Sequence, residues 1–481
     1  MKISQLFKLD KTQFELDFVD VDIEHDNWLF LDPFFISTRN DPWSVDATRV
    51  IKSFFQYIID LTKSGNVNQA KGYFTHLNEP NETCLGMSKG NPRGNGVGND
   101  NAEKIFDSLL TSKAMETGLV ENLEDSAIFI DGIARDKVSD VTTNIIRRNL
   151  IEYTKNQCDL WGIPITNNCP SGFYWNQNSK KWDQSYTERL VINNKLFLLV
   201  PKNSVTFYKD YIDQKYYQHY VLNFLQDEHM KNNSPLVQHR KLKDGTIHSF
   251  VTKKDIKEKD SPFSKDLLRE FTRKHPDIFA KFRNEKKGSV KPLSNEQLTN
   301  ISLNEVVEYL VKCLDEIRPG GDEASKYHRL MIGILELIFY PHLTNPIKER
   351  EINEGRKRID IAMDNAATNG FFHQLHDIHK ISSRFVYIEC KNYSDDPENP
   401  ELDQLSGRFS VNTSNFGILA CRVVNNKKLM TQRCIDLYKQ KKELIIVFDD
   451  GEIKEMLNHL LTDSSYIDSC LCNKRRETEL A

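Results

Sequence analysis

Two short stretches hold the residue types that chemistry at a phosphate needs. One is Arg358-Ile359-Asp360-Ile361. The other is Phe385-Val386-Tyr387-Ile388-Glu389-Cys390-Lys391. A carboxylate stands inside the first apolar run, and the second run ends in carboxylate-x-lysine. In an extended chain Asp360 points away from its two isoleucine neighbours, while Glu389 and Lys391, two apart, share a face. Two carboxylates and a lysine at the edge of a sheet can hold one divalent ion and orient one water. Glu336 interrupts the apolar run Met331 to Tyr340. A carboxylate there is costly unless it is paired or near a cation, which places Glu336 on the metal side as an expectation. Gln404 and Arg408 are four apart on a helix expected over 401–409 and share one of its faces.

The elements that must position these residues follow from periodicity. Helices are expected over 301–317 and 326–340. Strands at 347–352 and 358–363 flank Asn353-Glu354-Gly355, a hairpin turn. Further strands are expected at 385–390, 415–422 and 444–448, with helices at 401–409, 427–440 and 452–461 and a frayed tail after them. Helices before, between and after a small mixed sheet make an α/β sandwich over 291–481. Lys286 to Pro292 reads as a linker. The larger region before it, 1–290, is mixed α+β, with an internal break near 165–200.

The helix glutamate, strand aspartate, Glu-x-Lys strand and following glutamine-bearing helix resemble the PD-(D/E)xK superfamily of restriction-endonuclease-like nucleases. The resemblance covers about 327–448 and is closest to Mrr-type and phage-defence nucleases. It implies a restriction-endonuclease-like α/β sandwich with a mixed central sheet, and a Mg²⁺- or Mn²⁺-dependent endonuclease acting on DNA, with duplex favoured. Carried over by position, Asp360, Glu389 and the backbone carbonyl of Cys390 would bind the metal, and Glu336 would support it. Lys391 would assist the attacking water, and Gln404 would contact the site. No proline precedes Asp360, where the name motif has one. The resemblance further implies a homo-oligomer, since cutting both strands commonly takes a dimer. It also implies a role in restriction or anti-phage defence, with the N-terminal region recognising a target.

Net charge is -4 over 481 residues, so any nucleic-acid surface must be a local patch. Arg408, Lys357 and Arg358 beside the candidate centre, and Lys253 and Lys254 in a basic stretch, are the residues expected to track a phosphate backbone. Gly90, Gly94, Gly96 and Gly98 lie in a glycine-rich stretch that either cradles a phosphate, as for a nucleotide trigger, or is a surface loop. A phage protein is the other trigger expected for the N-terminal region. The stretch lacks the Lys-Ser/Thr ending of a phosphate-binding loop. Phe14 to Asp22 reads as an edge strand. The aromatic run Tyr208 to Tyr220 either stacks bases or packs a core, and packing is the commoner use. No signal peptide or membrane-spanning run is readable, and 9 scattered cysteines suit reduced thiols in a cytoplasm.

Overall fold

The computed structural model describes residues 1–86, 123–130, 135–207, 212–289, 291–352 and 357–480. Five strands form one mixed sheet: β1 (Leu343–Ile352), β2 (Lys357–Asn365), β3 (Phe385–Lys391), β4 (Phe416–Cys421) and β5 (Leu444–Asp449), in that order. β1, β2 and β3 run antiparallel, while β3, β4 and β5 run parallel. Every residue of β4 and β5 is buried. Their unbroken apolar sequences are what parallel strands covered on both faces require.

The two-residue period sorts the side chains into two layers. Ile361, Met363, Val386 and Ile388 join the main core with helix α1 (Ala324–Phe339). Ala362, Tyr387 and Leu419 face α2 (Asn399–Ser406) and α3 (Lys427–Lys441), meeting Leu402, Leu405, Met430 and Cys434. By the same period Asp360, Glu389 and Lys391 belong to the α2 face. The expected α/β layering over 291–481 is present, with a mixed sheet of five strands.

Gly417 on β4 lets that layer close. A Cβ there would stand 2.9 Å from Phe409 Cζ and 3.0 Å from Leu405 Cδ2. Gly417→Ala is expected to cost about 1–3 kcal/mol through overpacking, read as a lower urea midpoint. An unchanged midpoint would show that the layer yields freely.

Several expectations are corrected. Residues 465–479 do not fray: they form helix α4 (Ser465–Glu479), which buries Ile467 and Leu471 together with Arg475 and Thr478. The expected linker is half helical, because the helix Pro276–Ser289 runs through it. One hydrophobic core joins Phe54, Ile151 and Trp161 to Ile334 and Ile388, so residues before and after 290 share an interior. The stretch 165–200, where an internal break is expected, folds into short strands, and Trp175 packs on Phe54 at 5.1 Å. Phe14 to Asp22 is not an edge strand. It is buried along most of its length and pairs only through isolated bridges, Phe18 with Pro201 and Asp22 with Lys2, beside side-chain hydrogen bonds such as those Asp20 accepts from the Ser4 N–H (2.8 Å) and Oγ (2.6 Å). Tyr216 and Tyr217 pack in the core, whereas Tyr208 and Tyr211 lie outside the described residues.

Candidate functional site

The antiparallel register of β2 and β3 pairs Ile361 with Ile388. One step further sets Asp360 opposite Glu389, where side chains on adjacent strands stand close enough to interact. Asp360 Oδ2 accepts from the Cys390 N–H at 3.1 Å, which fixes the carboxylate against β3. Glu389 is only 1% exposed. Its Oε1 lies 2.7 Å from Lys391 Nζ, and its Oε2 is held by the Arg408 guanidinium. Lys391 Nζ also donates to Gln404 Oε1 at 3.2 Å, from α2, and stands 5.9 Å from the centre of the Tyr393 ring. Asp360, Glu389, Lys391, Gln404 and Arg408, drawn from two strands, a helix and a turn, therefore meet.

Arg408 arrives differently from the sequence expectation. α2 stops at Ser406 and Gly407 caps it, so Arg408 sits in the following turn, its N–H donating to Leu405 O at 3.1 Å. The end of β3 is latched to the loop before α1. Asn392 Nδ2 donates to Arg318 O at 3.0 Å and to Gly320 O at 2.7 Å.

Charges within the cluster balance: two carboxylates, one ammonium and one guanidinium. Burial raises the Glu389 carboxyl above its ordinary value and the Asp360 charge adds to this, with Lys391 and Arg408 opposing. Burial would lower the Lys391 ammonium, but its contact with Glu389 outweighs this and the net shift is upward. Lys391 thus stays protonated at neutral pH. The Cys390 thiol is pushed well up by burial and then by the same two carboxylates.

Glu336 does not join this group. Its Oε1 is 3.1 Å from Lys202 Nζ, and both side chains are fully buried. The contact is an ion pair rather than an aligned hydrogen bond. Lys202 also donates to Asn295 Oδ1 at 3.0 Å and lies 4.0 Å from the centre of the Tyr340 ring. Asp17, wholly buried nearby, accepts from Tyr153 OH at 2.6 Å. Burial raises both acids and Lys202 opposes in each; the Asp17 charge raises Glu336 further, while the Tyr153 hydroxyl also opposes the rise at Asp17. The cost argument for Glu336 holds, but the cation that answers it is an ammonium from 134 residues upstream (336 − 202). Sequence spacing carries no signal for this centre, because Asp17, Tyr153, Lys202 and Glu336 are far apart in the chain.

Lys253 spends its ammonium on the carbonyl of Gln218 at 2.7 Å, within the N-terminal part, while Lys254 is exposed and 3.9 Å from Glu258. Lys357 and Arg358 begin β2, and their side chains lie outside the described set. Gly90, Gly94, Gly96 and Gly98 also lie outside the described residues. Among the described residues, three metal-type ligands converge only at Asp22, Glu24 and His25, where the Met1 ammonium already stands 2.8 Å from Asp22. Asp32 caps a short helix. Cavities of about 480, 770 and 800 Å³ are lined by other residues, so they do not coincide with the Asp360 cluster. All 9 cysteines are free thiols, and no described helix is long and apolar enough to cross a membrane.

No curated protein and no solved structure matches the chain. Residues 8–213 match the model of a family described as a domain of unknown function, DUF8370, a span that holds Asp17, Tyr153 and Lys202 and ends before the five-stranded sheet.

Proposed function

We propose that the chain is a metal-dependent nuclease that hydrolyses DNA phosphodiester bonds, its sheet a restriction-endonuclease-like sandwich. The observation that carries this reading is the meeting of Asp360, Glu389, Lys391 and Gln404 on one sheet face. The donor set suits a hard divalent cation: paired carboxylate oxygens, one of them buried, whose mutual repulsion a cation would relieve. Asp360 and Glu389 would hold Mg²⁺ or Mn²⁺. Such an ion supplies Lewis-acid polarisation of the phosphate and a bound water of lowered pKa. Lys391, fixed by Glu389 and Gln404, places a permanent positive charge where negative charge develops on the phosphoryl oxygens. A role in defence against foreign DNA, with the N-terminal part recognising a target, is the biological setting proposed.

A second reading has one observation in its favour. Both oxygens of Glu389 are already matched by cations, as in a purely structural ion-pair network on a nucleic-acid-binding or regulatory module. Incubation with supercoiled plasmid separates the two. The nuclease reading expects nicked and linear products with Mg²⁺ or Mn²⁺ and none after chelation. Intact plasmid in both metals, with single-stranded DNA also uncut, would leave the structural reading.

A further inference from the structure

Arg408 poses a question that the nuclease reading alone does not answer. Its guanidinium occupies Glu389 Oε2, the side chain is 8% exposed, and Glu389 is 1% exposed. A carboxylate cannot give the same lone pairs to a guanidinium and to a metal. We infer that Arg408 is a built-in counter-ion for the metal-free centre, displaced from Glu389 when a divalent cation binds and thereby freed to meet the phosphate. This rests on the nuclease reading and adds a regulation of the same site: metal and DNA reinforce each other's binding.

The reasoning is electrostatic. Without metal, two negative and two positive side chains cancel in a half-buried place. A divalent ion alone leaves an excess of two positive charges, a costly state where water is scarce. A phosphate brings back negative charge, and the freed guanidinium can grip it through paired N–H donors. The position of Arg408 allows the swing. It lies beyond the capped end of α2, in a turn, so it can move without unwinding the helix that holds Gln404. Lys391, in contrast, is tied to both Glu389 and Gln404 and stays.

The test uses the full chain and isothermal titration with Ca²⁺, alone and with a short DNA duplex present. Arg408→Gln is expected to bind Ca²⁺ about 10- to 100-fold tighter than wild type, because one charge-assisted competitor is gone. The wild type is expected to bind Ca²⁺ tighter with duplex present than without, and Arg408→Gln to lose most of that gain. Loss of a positive charge acting only at long range would raise Ca²⁺ affinity but leave the duplex effect intact. Unchanged Ca²⁺ affinity, or an undiminished duplex effect, overturns the inference. Should Arg408→Gln not fold, by thermal unfolding, Arg408→Lys serves, with an intermediate affinity expected and wild-type affinity counting against. A wild type whose titration matches that of Asp360→Asn would remove the metal site and the nuclease reading with it. A wild type that binds through Asp360, with no change in either Arg408 variant, would remove only this inference.

Discussion

Asp360→Asn is expected to lower plasmid cleavage in Mg²⁺ by about a thousand-fold or more, with the fold retained. The size follows from the chemistry: a metal's charge stabilisation is worth several kcal/mol, and each factor of ten in rate is about 1.4 kcal/mol. Asparagine keeps an oxygen that can accept from the Cys390 N–H, so the strand contact survives while the ligand charge goes. Lys391→Met keeps the apolar stem and removes the ammonium. It is expected to lower the rate by about 10²–10³, the usual effect of one electrostatic donor at a developing oxyanion. Rates measured at saturating metal, beside thermal midpoints within a few degrees of wild type, check both. Full activity in both variants would end the assignment of this cluster.

The largest expected effect on stability lies elsewhere, at Lys202. Replacing it by methionine strands Asp17 and Glu336 without their shared cation, deep in the interior that joins the two parts of the chain. Breaking a buried pair from one side costs about 3–5 kcal/mol. The sign of the pH dependence is set by the acids. Both carboxyls are raised above their ordinary values of 3.8 and 4.5, burial being the main cause. Above those values the native chain keeps protons that the unfolded chain has released, so stability falls as pH rises toward the native values. Lys202→Met is therefore expected to be most unstable at pH 8 and partly rescued at pH 5. Glu336→Gln leaves Asp17 to match Lys202. It is expected to flatten the decline across that window and to cost little. Urea midpoints at the two pH values decide the matter. A Lys202→Met midpoint equal to wild type at pH 8 would mean that the three groups are uncoupled.

The two centres show different degrees of legibility. Around Asp360 the sequence was readable because its signals are local. A carboxylate between two isoleucines fixes its own face, Glu389 and Lys391 share a face by the strand period, and Gln404 follows on the next helix. Those regularities belong to the backbone and need no knowledge of the rest of the chain. What they do not specify is the partner of each charge. The period places Arg408 as a helix neighbour of Gln404, yet it reaches Glu389 from a turn.

Glu336 marks the limit. The sequence determined that a carboxylate in an apolar helix must meet a partner or hold its proton, because an unpaired buried charge is too costly. It did not determine which. Likewise, the acidic and apolar alternation of Phe14 to Asp22 determined spacing but not environment, and both faces proved to be covered. The amphipathic residues of α4 fixed a helix only once the core offered a place for Ile467 and Leu471. Element type and facing are short-range properties of the chain. Ion pairing, burial and the joining of two regions into one core arise from contacts between residues that the backbone does not make neighbours, and those only the tertiary structure decides.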